Sequence, residues 1–145
     1  MAKAISVTGQ KKVMTLQKEF NEQYPYIRIN VYSLEEKTKR ENGGTIVPVD
    51  NSQTIATVRT KQNPGSITIT GNKKVKTLEN EFEEIYGLYV EVAFSTAAGK
   101  RYYTRSNADN LNGEKMEARI NGDNMTLSAL NALCEQDGCK KGVWN

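Results

Sequence analysis

Two stretches of this chain are nearly the same sequence. Residues 5–24 read ISVTGQKKVMTLQKEFNEQY and residues 67–86 read ITITGNKKVKTLENEFEEIY, with twelve of twenty positions identical at a constant offset of 62. Self-similarity at a fixed period is the mark of a duplicated supersecondary unit. The likeness continues faintly beyond Tyr24: residues 27–31 match residues 90–94, Asn42-Gly43 matches Asn112-Gly113, and Thr54-Ile55 matches Thr126-Leu127. The 145 residues therefore divide into one unit over 1–62 and a longer one over 63–145. A unit of about sixty residues is marginal alone, so the two are expected to pack into one compact body.

Period gives the elements of each unit. Ile5/Val7 and Ile67/Ile69 alternate with Ser6/Thr8 and Thr68/Thr70, which is strand spacing. Val13, Leu16, Phe20 and Tyr24, and their counterparts Val75, Leu78, Phe82 and Tyr86, recur at helical spacing. Thr15 and Thr77 are expected as N-caps of these helices, and Pro25 and Gly87 as their stops. Alternation returns at Ile27, Ile29 and Val31, and at Leu88, Val90, Val92 and Phe94, predicting strands buried on one face only. Third strands are expected over 45–49 and 115–120, and closing helices begin at Thr54 and Thr126, with Gly138 as a C-cap. The order predicts an α+β, two-layer fold of tandem pseudo-symmetric β-α-β-β-α repeats. The first crossover of each is expected to be right-handed and parallel, with helices on one face of the sheet and the other face open to solvent.

The phrase K-V-x-T-L-x-x-E-F, at residues 12–20 and 74–82, resembles one seen in small two-repeat bacterial proteins. That resemblance implies a folding unit and brings with it no activity, cofactor or site residue.

Chemistry is narrowed by what the composition omits. There is no histidine, so every catalytic triad, dyad and metal site built on imidazole is excluded. Two cysteines, Cys134 and Cys139, do not make a four-ligand zinc site; they read as reduced thiols of a cytoplasmic protein, with a local disulfide between them as the alternative. No cofactor or metal is implied. No apolar run is long enough to span a membrane. The net charge of +3 is too weak to name a polyanionic partner.

Three surfaces remain as candidates for binding. The duplicated T-G-x-K-K-V segment sets Lys11/Lys12 and Lys73/Lys74 just before a helix, where backbone amides can meet phosphate; a full phosphate-loop spacing is missing. A basic-aromatic run places Arg101, Tyr103 and Arg105 on one face of a strand, suited to base stacking and phosphate. The open sheet face is expected to carry Ser6, Thr8, Arg28, Asn30, Tyr32, Thr68, Thr70, Tyr89, Glu91 and Arg119. Tyrosine and arginine of mixed surroundings suit a protein partner. The acid-rich segment Glu79, Glu81, Glu83 and Glu84 reads as a solvated helix face. The sequence thus points to a non-catalytic binding or adaptor module with a protein partner, and a nucleic-acid-binding protein as the alternative.

Overall fold

A computed structural model describes residues 3–42, 46–95, 101–103 and 124–141. The described residues form an α+β fold with two small antiparallel sheets and five helices. In chain order these are β1 (Ile5–Val7), α1 (Val13–Gln23), β2 (Arg28–Ser33), α2 (Glu35–Glu41), α3 (Ile55–Val58), β3 (Ile67–Ile69), α4 (Val75–Glu81), β4 (Leu88–Ser95), β5 (Arg101–Tyr103) and α5 (Leu127–Gln136). A π-helical turn, Phe82–Tyr86, extends α4.

The strands do not form parallel crossovers. β1 pairs antiparallel with β3, setting Ile5 opposite Ile69, Ser6 opposite Thr68 and Val7 opposite Ile67. β2 pairs antiparallel with β4, and β4 with β5. Each half lends its strands to the other, so β1 and β2, expected side by side, lie in different sheets. The physical reason is reach and burial. Three-residue strands cannot cover their apolar faces alone, and joining across the halves puts Ile5, Val7, Ile67 and Ile69 into the same core as Ile29, Val31, Val90 and Val92.

The helical stripes are those the spacing predicts. Leu16, Phe20, Leu78 and Phe82 are wholly buried, and the aromatic pairs Phe20–Tyr24 and Phe82–Tyr86 stand with ring centroids 5.1 and 5.9 Å apart. The stops are also as expected: α1 ends before Pro25, and Gly87 takes a φ of 61°. A side chain at Gly87 would also meet Thr60 Oγ1 and the Lys61 nitrogen, because the N–H groups of Thr60 and Lys61 both donate to the Tyr86 carbonyl.

The caps correct one expectation. α1 and α4 begin at Val13 and Val75, three residues earlier than threonine capping requires, and Lys12 and Lys74 stand at their N-cap positions without side-chain caps. Backbone takes over that task. The N–H groups of Val13 and Met14 donate to the carbonyls of Gln53 and Asn51, while those of Ile55 and Ala56 donate back to Lys11 and Gly9. The same exchange joins Val75 to Met125, and Leu127 and Ser128 to Lys73 and Gly71. Each pair of helix starts therefore satisfies the other's orphan amides. Thr54 and Thr126 are side-chain caps, accepting from the N–H of Thr57 and Ala129.

Two further expectations fail in the first half. Residues 46–50 are not a strand; Pro48 has no N–H to give a ladder, and Val49 N–H makes a lone bond to the Val31 carbonyl at 3.0 Å. The expected β-α-β-β-α order is replaced there by β-α-β-α-α, because α2 follows β2 directly. The expected strand over 115–120 lies outside the described residues.

Candidate binding surfaces

Antiparallel register brings the predicted sheet-face residues together. Arg28 stands opposite Ala93, Asn30 opposite Glu91 and Tyr32 opposite Tyr89, all on the face away from the main core. That face is not open. Tyr32 is 6% exposed, Ala93 5% and Glu91 1%. α2 lies against it, so helices occupy both faces of this sheet.

The α2 sequence, EEKTKRE, has no apolar residue, and polar contacts dock it. Arg40 grips Glu91 with two parallel bonds, Nε to Oε2 at 2.8 Å and Nη2 to Oε1 at 2.9 Å. Tyr89 donates its hydroxyl to Glu91 Oε2 at 2.7 Å, and its ring lies 5.8 Å from that of Tyr32. Lys37 reaches Glu83 at 2.9 Å, and the largely buried Glu36 accepts from the N–H of Val47 at 3.2 Å. Burial, reinforced by the Glu91 charge, pushes the hydroxyls of Tyr32 and Tyr89 well above the usual phenol range. These groups are neutral donors and no general base. Periodicity could not find α2, since a helix without apolar positions has none. The signal it does carry is charge order: Glu35 and Glu36 in the first turn, Lys39 and Arg40 in the last, complementing the helix dipole.

The lysine pairs separate. Lys11 pairs with Glu19 and Lys73 with Glu81, the same contact 62 positions apart, and both lysine side chains are mostly buried. These cations are held by carboxylates of the helices that follow them. Lys12 and Lys74 are exposed, each at an antiparallel bridge, to Thr54 and Thr126. Glu81 and Glu83 therefore make ion pairs where a merely solvated face was expected. Arg59, which sequence reasoning passed over, lies 4.6 Å from the Tyr86 ring centre and donates to the Ile85 carbonyl.

In the basic-aromatic run, Tyr103 stands opposite Ala93 and Arg101 opposite Ser95. Arg28, Ala93 and Tyr103 thus form one row across three strands. Arg105 and Arg119 lie outside the described residues. Among the described residues no group of three or more Cys, Asp or Glu side chains could hold a metal ion, and no helix is long and apolar enough to cross a membrane. No protein-family model, curated protein or solved structure matches the chain.

Proposed function

We propose that this is a non-catalytic binding module, cytoplasmic, whose partner is another protein. The observation that carries the reading is the internal pairing of its cations. Lys11, Lys73, Lys37 and Arg40 all face carboxylates within the chain, which lowers the free positive charge available to a phosphate backbone. On β1 and β3, Ser6 and Thr68 present a small exposed polar face. Lys12 follows the end of β1 and Lys74 the end of β3, so the antiparallel pair carries one exposed lysine beyond each end. Two free thiols agree with a reducing compartment.

The same reading takes the halves as tandem copies related by an approximate twofold axis. Ser6 and Thr68 are counterparts at the offset of 62, and they stand opposite each other in the ladder. A twofold relation demands such self-pairing. A face with that symmetry suits a partner that is itself twofold or duplicated.

Nucleic acid is the second reading, favoured by the row Arg28, Ala93 and Tyr103 with Arg101 beside it. Titration of the protein with labelled single-stranded DNA and RNA at low and moderate salt separates the two. The protein-partner reading expects no tight binding at low salt, and loss of the captured partner in Ser6→Glu plus Thr68→Glu. Tight, steeply salt-dependent binding weakened by Arg28→Ala plus Arg101→Ala overturns it.

A further inference from the structure

The two cysteines meet at the end of α5. Asp137 caps that helix and Gly138 takes a φ of 74°. Gly138 N–H donates to the Glu135 carbonyl at 3.1 Å and Cys139 N–H to the Cys134 carbonyl at 3.0 Å. This pair of bonds is the Schellman turn, which folds the residue after the glycine back onto the residue three before the cap. In most helices that contact is between apolar side chains; here both partners are cysteine. The side chains are buried, 3% exposed for Cys134 and 8% for Cys139, and they share a hydrogen bond. A side chain at Gly138 would meet nothing within 4 Å, so the glycine is required for its dihedral and not for space.

We propose that Cys134 and Cys139 form a reversible dithiol–disulfide site that locks the C-terminal cap of α5, with a low-molecular-weight disulfide of the glutathione class as oxidant. Cys139, the less buried, loses its proton and attacks one sulfur of that disulfide. The oxidant's S–S bond breaks, one thiolate leaves, and a mixed disulfide stands on Cys139. Cys134 then gives its proton to solvent, attacks the Cys139 sulfur and expels the second thiolate. Two protein thiols are oxidised to one disulfide, and the oxidant is reduced to two thiols.

Burial and the neighbouring Cys139 sulfur raise the Cys134 thiol. Its thiolate is scarce, which slows closure. It is also a poor leaving group when a reductant attacks Cys139, which slows opening. The next residue, Lys140, donates its N–H to the Ser95 carbonyl at the end of β4, at 2.9 Å. Closing the bridge therefore ties the last turn of α5 to the segment docked on β4.

The test uses the full chain, without denaturant, in buffers of graded reduced-to-oxidised glutathione ratio, acid-quenched and mapped by peptide mass spectrometry. The expected result is a bridge between Cys134 and Cys139 in the folded protein, with amide exchange at 138–140 slowed by about tenfold or more as local opening is suppressed. Cys134→Ser is expected to retain glutathione on Cys139, since nothing resolves it. Thiols that stay free at every ratio, a bridge that forms only in denaturant, unchanged exchange in the bridged form, or a Cys134→Ser chain without adduct would each overturn the proposal.

Discussion

Phe82 and Tyr86 hold the same places in α4 and its π-helical turn as Phe20 and Tyr24 hold in α1, and all four rings are buried. Removing a packed phenyl group loses its transfer energy and leaves a cavity, so Phe82→Ala is expected to destabilise by about 3–5 kcal/mol in denaturant melts. Threonine position matters more than threonine identity. Thr54→Ala and Thr126→Ala each remove an observed cap and are expected to cost about 1 kcal/mol. Thr15→Ala and Thr77→Ala, exposed and inside the first turn, should change stability by less than about 0.5 kcal/mol in the same melts. Ionisation of Tyr32 and Tyr89 gives a prediction in pH. Their folded-state values lie above the unfolded value near 10.0, so the stability they contribute is fully present below that pH. It is lost as pH rises beyond it. Phenolate absorbance should therefore show these two tyrosines ionising only together with alkaline unfolding.

At the scale of elements, α2 is the exception to the rule that apolar stripes dock helices. Its Arg40–Glu91 contact is a buried ion pair, with Glu91 side chain 2% exposed. Breaking such a pair from one side leaves a charge without compensation, a cost of about 3 kcal/mol or more. Arg40→Ala is expected to lose that amount and to speed amide exchange across α2 and Tyr32, while exchange in α1 and α4 stays slow. Uniform acceleration in every helix would mean that α2 is not docked as a separate element. The strands and long helices were legible beforehand because their side chains alternate or recur with a stripe. α2 was not, because nothing in EEKTKRE repeats with a period, and its anchoring carboxylate lies 51 residues away. The backbone exchange between helix starts was hidden for a related reason: carbonyl oxygens are the same in every residue, so no side chain announces which loop will accept from Val13 or Val75.

For the whole molecule, the decisive contacts run between the halves. Cutting after Lys61 separates β1 from β3 and β2 from β4, and it also releases the Thr60 and Lys61 amides from the Tyr86 carbonyl. Each fragment would expose strand edges that its neighbour's strands now pair. We expect neither piece to show a cooperative thermal transition alone, and mixing them to restore one. Two independently melting fragments would contradict this.

The sequence by itself determined that residues 5–24 and 67–86 adopt the same strand-then-helix course, because local period and propensity depend only on neighbours along the chain. It also set Arg28 and Tyr32 on the face opposite Ile29 and Val31, and Tyr89 on the face opposite Leu88 and Val90, since side chains alternate across a strand. Only the tertiary structure decided which strands pair, and hence that the ladders are antiparallel and cross from one half to the other. Only it decided that α2 covers the supposedly open face, and that Lys11 and Lys73 are held by Glu19 and Glu81. Those outcomes depend on where burial of short apolar strands is most complete and on where a desolvated charge finds its opposite. Both are properties of the assembled core, set by distances in space that no spacing along the chain records.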